Sequence, residues 1–155
     1  MKSFIFCLFC AGALLMVHGC NPRQEPDNIH AEIDSLKSLT EELKPGLGEF
    51  MLLIRAHHDS LGRAIGLKDF ERAAYEVDEI KETAEKVKKL NITNDKLQHP
   101  FAELYKKWLE RPLQTLADAA SKKNEQVLKN NFISLTNNCN GCHYENNMPF
   151  MKIGY

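Results

Sequence analysis

The chain has 155 residues, 43% of them hydrophobic, enough for one domain with a packed core and too few for two domains of ordinary size. Its 20 lysines and arginines nearly cancel its 21 aspartates and glutamates, so no global field favours nucleic acid or an anionic membrane surface. Partners must therefore be read from local features.

The first such feature is at the start. Lys2 precedes an apolar run from Phe4 to Val17 that ends at Gly19-Cys20, the layout of a secretory signal and too short for a comfortable membrane span. Val17-His18-Gly19-Cys20 resembles a bacterial lipobox, in which cleavage precedes the cysteine and the cysteine becomes lipidated. His18 stands where a small residue is usual, and a plain signal peptide is the alternative. The expectation is a signal peptide over residues 1–19, a lipid on Cys20 anchoring the chain to a membrane, and location in the periplasm or at the cell surface. Residues 20–27 hold Pro22 and Pro26 among polar residues and read as a tether.

From residue 28 onward the periodicity is helical and strand alternation is almost absent, so residues 28–155 are expected to form one all-α domain. Asn28 to Leu43 carries Ile29, Ile33, Leu36, Leu39 and Leu43 at spacings of three and four, with Asp27 placed to cap it. Lys44-Pro45-Gly46 interrupts, because the residue before proline is driven from the α region. A second helix is expected from Pro45 to Ile65, burying Leu47, Met51, Ile54, His58, Leu61 and Ile65, with Gly66 closing it. A third runs from Lys68 to Leu90, with Phe70, Ala73 or Ala74, Val77, Ile80, Ala84 and Val87 on one face. A fourth covers Lys96 to Ala120 and is kinked at Pro112, whose ring removes a hydrogen bond. Asn124 caps a fifth, which carries Val127, Leu128, Asn131 or Phe132, Leu135, Cys139, Cys142 and His143. Short connections make neighbours antiparallel, so the expected architecture is an antiparallel four-helix bundle with residues 28–43 as an extra N-terminal segment.

If Cys7 and Cys10 leave with the signal and Cys20 carries lipid, only Cys139 and Cys142 remain, in Cys139-Asn140-Gly141-Cys142-His143. Two thiols three residues apart can both reach the vinyl groups of a porphyrin while the following histidine turns to its iron, so the pattern reads as covalent attachment of one haem c. A thioredoxin-like pair would need a βαβ setting, a zinc site a second pair of ligands, and a disulfide over so short a loop would stabilise little.

Residues 144–155 are too few to carry a ligand round to the opposite haem face, and Met148 lies too near His143 to reach it. The sixth ligand is therefore sought upstream. In the expected bundle the start of the second helix lies beside the end of the last. Met51, about 9 Å along the axis from Pro45 at 1.5 Å per residue, is the distal candidate, the alternative being a core methionine beside five-coordinate iron. His58 reads as a core or propionate-contacting histidine with His57 beside it, His30 and His99 as surface residues. Leu47, Phe50, Ile54, Tyr75, Trp108, Phe132 and Leu135 are expected to line the pocket.

These stretches resemble the class II cytochromes c, the cytochrome c prime group. The likeness runs from Pro45-Gly46-Leu47-Gly48-Glu49-Phe50-Met51, with His57-His58, Leu61, Asp69-Phe70 and Ala73-Ala74-Tyr75-Glu76, to Leu135-Thr136, the haem pentapeptide, Phe150 and Ile153. It implies a haem on the last helix of a four-helix bundle. Members with a distal methionine are six-coordinate electron carriers; members without one are five-coordinate and bind nitric oxide or carbon monoxide. The expected function is single-electron transfer outside the cytoplasm with a redox partner protein, the alternatives being gas binding at an open haem and a haem-free helical lipoprotein. No acid, base or nucleophile constellation points to an enzyme, and a homodimer is compatible with the sequence.

Overall fold

The computed structural model describes residues 27–92 and 94–154. The expected signal peptide, the lipidation of Cys20 and the tether as far as Pro26 lie outside the described residues.

Among the described residues every regular element is a helix: α1 Asp27–Glu42, α2 Leu47–Gly66, α3 Phe70–Lys89, α4 Phe101–Trp108, α5 Glu110–Ser121 and α6 Glu125–Glu145. None of these is long and apolar enough to cross a membrane. The all-α expectation holds, and the chain divides between Lys44 and Pro45. In the first unit α1 begins at Asp27, so the expected cap is itself helical, and Ile29, Ile33, Leu36, Leu39 and Leu43 are all exposed.

In the second unit side-chain caps start two helices, as Asp69 accepts from the Arg72 N–H at 3.0 Å and Asn124 from the Val127 N–H at 3.1 Å. Four helices end alike. Lys68, Asn91, Lys123 and Asn147 take left-handed backbone angles (φ 58°, 47°, 52° and 59°). The N–H of the following residue then reaches back five positions: Asp69 to Ala64, Ile92 to Val87, Asn124 to Ala119 and Met148 to His143. The left-handed residue after α2 is thus Lys68, whereas Gly66 is the last helical residue.

The expected fourth helix is two. Residues 96–100 are not helical, and the helix breaks at Leu109, three residues before Pro112. Proline lacks the N–H that would bond the carbonyl four positions back, and its ring crowds that carbonyl. That group is the Trp108 carbonyl, which instead accepts from the Asn138 side chain of α6 at 2.9 Å. The bend therefore ties α4 to the helix that carries the cysteines.

Helix α2 packs against α3 and α6, α3 also against α4 and α5, and α6 against α4 and α5. The apolar faces meet in one core, with Leu61, Val77, Ile80, Leu116, Leu128 and Leu135 at 1% exposure or less. Full burial of each such side chain contributes about 1.5–3 kcal/mol. Gly62 lets α6 approach α2, since a β-carbon there would lie 2.8 Å from the Phe132 ring. Across α2 and α3 the fully buried Glu76 carboxylate takes hydrogen bonds from His57 Nδ1 at 2.7 Å and from Arg72 Nε. Both oxygens are satisfied, which is what makes a buried carboxylate tolerable.

Candidate functional site

Cys139 lies in the penultimate turn of α6, and Cys142 and His143 in its last. Positions three and four apart share a helix face, so the thiols stand one turn apart, Cys139 buried and Cys142 half-buried. Burial, reinforced by the neighbouring Cys142, pushes the Cys139 thiol up to about 12, and burial with the Glu145 carboxylate pushes Cys142 up to about 11. Thiols used for disulfide exchange have depressed values. This pair is held neutral instead, as apolar reactants beside an apolar surface.

Cys139 belongs to the same buried cluster as Leu47, Phe50 and Ile54 of α2 and Phe132 and Leu135 of α6. Met51, Trp108 and Ile153 pack against that cluster. Six of the seven expected lining residues are thus in or against one apolar mass that includes a motif cysteine. Tyr75 is the exception: it is half exposed and lies under the Arg72 guanidinium, 5.2 Å from the ring centroid. The apolar face of α3 is satisfied by Ala73, Val77 and Ile80, which leaves Tyr75 on the outer side.

The orientation of His143 follows from the end of its helix. The left-handed Asn147 reverses the chain, and residues 148–153 return along α6. The Met151 carbonyl then lies 2.6 Å from His143 Nδ1. A carbonyl only accepts, so Nδ1 carries the proton and the neutral ring presents an unprotonated Nε2. Metal-binding histidines characteristically use their second nitrogen in this way. Asn140 holds the same returning segment with two bonds, accepting from the Ile153 N–H at 2.8 Å and donating to the Ile153 carbonyl at 3.0 Å.

Trp108 covers the middle of the motif. A β-carbon on Gly141 would come within 2.7 and 2.9 Å of its ring, so only glycine admits the indole at that approach. The indole N–H donates to Glu145 at 2.6 Å, and Glu145 also takes Lys107 at 2.6 Å. Lys107 first, and then Trp108, lowers the Glu145 carboxyl below its ordinary value. Buried Asn146 closes the helix, donating to the Cys142 carbonyl at 2.8 Å and accepting from the Gln98 N–H at 2.8 Å.

The upstream histidines separate from the site. His58 is 1% exposed, stacks on Phe132 with centroids 4.7 Å apart, and has Nε2 2.8 Å from the Thr136 hydroxyl. Its Nδ1 lies 3.4 Å from Asp59 Oδ1, and the Thr136 hydroxyl also reaches the Phe132 carbonyl at 3.0 Å. Such a ring is a satisfied core group. His57 is turned to Glu76, and His30 and His99 are exposed. Among the described residues no three His, Cys, Asp or Glu side chains gather to hold a metal ion. The donor set does fit a c-type haem: two neutral thiols one turn apart on an apolar surface, then an imidazole with its outer nitrogen committed.

The roles of Asn138, Asn140, Asn146, Trp108 and Glu145 do not follow from the motif's spacing. Their signal was present, since asparagine favours caps and turns over helix interiors and Asn137, Asn138, Asn140, Asn146 and Asn147 crowd round the motif. Compared with protein families, curated proteins and solved structures, the chain gives no match.

Proposed function

We propose that the chain is an exported c-type cytochrome that holds one covalent haem through Cys139, Cys142 and His143 and passes single electrons to and from a protein partner. The observation that carries this reading is His143, adjoining the second thiol, with Nδ1 committed to the Met151 carbonyl and Nε2 left as the donor. Bound haem supplies the reversible uptake of one electron at its iron.

The chain's own residues do the rest. Each thiol would add across a vinyl group, its sulfur forming the thioether and its proton going to the neighbouring vinyl carbon, so attachment would consume no oxidant. Burial keeps the Cys139 sulfur in the apolar core that also holds Phe132, Leu135, Leu47 and Ile54, while Cys142 is half-buried beside it. His143 Nε2 would be a ligand to the iron. Met51, half-buried against the same cluster, is the proposed distal ligand.

In architecture we read α4 and α5 as one leg bent at Leu109, so that α2, α3, α4–α5 and α6 make an antiparallel four-helix bundle. That arrangement and the C-terminal motif support kinship with the class II cytochromes c. A signal over residues 1–19 and a lipid on Cys20 would put the domain outside the cytoplasm, on a membrane.

Haem staining of the denatured chain, with absorption spectra of oxidised and reduced protein with and without carbon monoxide, tests the reading. A stain that survives denaturation is expected; its absence removes the haem and leaves a helical lipoprotein. With Met51 as ligand the reduced iron is low-spin and resists carbon monoxide, and Met51→Ala opens it. Ready uptake by the unsubstituted protein assigns it to the gas-binding form.

A further inference from the structure

We infer that Asn140, the first residue between the two cysteines, is a positioning residue for the iron ligand: through the segment 148–154 it fixes the hydrogen bond that sets the donor strength of His143. The inference rests on the haem reading above and adds a role to a position that the attachment chemistry leaves open to any residue.

The geometry forms a closed loop. Asn140 lies in α6 three residues before His143, on an adjoining line of the same helix. Its side-chain amide makes a reciprocal pair of bonds with the backbone of Ile153, at 2.8 and 3.0 Å. Two residues earlier in that segment, the Met151 carbonyl receives the His143 Nδ1–H at 2.6 Å. The other end of the segment is fixed by the Met148 N–H, which bonds the His143 carbonyl at 2.8 Å. Side-chain burial alone cannot hold these residues, because Phe150 is 77% and Met151 43% exposed. Within the segment the Met151 N–H bonds the Met148 carbonyl at 3.0 Å and the Lys152 N–H the Phe150 carbonyl at 3.1 Å; beyond the turn at Asn147 and the part-buried Ile153 side chain, the Asn140 pair is what ties the far end of the segment to α6.

Chemistry makes that aim matter. A carbonyl accepting the Nδ1 proton draws it partly from the ring, which raises electron density at Nε2 and favours the oxidised, more positively charged iron. Loss of the bond should weaken the donor and raise the reduction potential. The two amide bonds also need both functions of asparagine, a donor and an acceptor on one short side chain. Leucine matches its size and supplies neither.

The test uses the full haem-loaded protein and three variants: Asn140→Leu, a chain ending at Pro149, and the two combined. Covalent haem staining of the unsubstituted protein comes first, and a negative stain overturns the haem reading itself. With haem present, Asn140→Leu should raise the midpoint potential and speed solvent exchange of the His143 Nδ1 proton seen by NMR. Removal of the carbonyl in the shortened chain should do the same. Asn140→Leu should then have no further effect in the shortened chain, because the segment through which it acts is gone. A control, Leu61→Ala, lowers stability far from the motif and should leave the potential in place. If Asn140→Leu lowers stability while the potential and the exchange rate stay at their unsubstituted values, Asn140 is only structural and the inference fails. If Asn140→Leu does not fold, the shortened chain decides, since an unchanged potential there removes the carbonyl's role.

Discussion

Helices α1 and α6 are both amphipathic on paper, and their fates are opposite. The α1 stripe of Ile29, Ile33, Leu36 and Leu39, with Leu43 just beyond the helix, is regular, yet every one of these side chains is exposed. The α6 pattern is broken by asparagines, threonine and the haem motif, yet Leu128, Phe132, Leu135 and Cys139 are buried. A regular apolar period states what a helix can bury. Whether it is buried depends on what surrounds it, and α6 is held by polar side chains aimed at other elements: Thr136 at His58, Asn138 at the bend after Trp108, Asn146 at Gln98.

The sharpest way to break this comparison is in the α6 core. Leu135 is 1% exposed, and Leu135→Ala should cost about 2–5 kcal/mol, read as a fall in denaturant midpoint with an unchanged slope. A cost below about 1 kcal/mol would mean that α6 is not packed as its burial implies.

Next in size is the polar tie between α6 and α2. Thr136→Val keeps the shape but removes the hydrogen-bond partner of buried His58 Nε2, leaving a polar nitrogen unsatisfied at a cost of about 1–3 kcal/mol. Thr136→Ser should recover most of it, since the hydroxyl that counts is retained.

These two residues also mark what could be read from sequence. All-α character and the second, third and fifth expected helices, to within a few residues, were legible, because apolar period is a local property; the Cys139, Cys142 and His143 motif was legible only as a spacing. The break at Leu109 was legible only in part. Pro112 announces that a carbonyl will be orphaned, but that Asn138 would satisfy it depends on a helix thirty positions downstream. The orientation of His143 was not legible, since it arises from the left-handed Asn147 and the return of Ile153 to Asn140, contacts that no periodicity encodes. Tyr75 was misplaced because helical spacing cannot tell a lining residue from one at the edge of the buried face.

A pH effect of moderate size follows from the same tie. Burial lowers His58 from its ordinary value of 6.5, outweighing Asp59, which raises it, while Arg55 assists burial. The unfolded chain therefore takes up a proton near pH 6.5 that the folded chain refuses. Stability from this group is complete above that pH, declines as pH falls below it, and levels off once the folded imidazole is itself protonated. Thermal unfolding between pH 7.5 and pH 5 should thus show a decline, and His58→Leu should lose that part of it. In this variant Thr136 still donates to the Phe132 carbonyl, so the comparison isolates the titration.

The smallest effect is the most direct check on α1. Leu36, 57% exposed, sits mid-stripe, so Leu36→Ala removes little buried surface, and alanine is the better helix former. The unfolding midpoint of the protein should move by less than about 0.5 kcal/mol, in contrast with Leu135→Ala. A loss above about 1 kcal/mol, the range of buried side chains, would mean that the stripe is covered in solution. Repeating the measurement over a range of protein concentrations would then identify the cover. A loss that grows with concentration indicates another copy of the chain, since self-association raises apparent stability by mass action and the variant would forfeit that gain. A loss independent of concentration indicates a cover within the same molecule. In either case the contrast between α1 and α6 would reduce to one of timing, with α6 buried on folding and α1 buried afterwards.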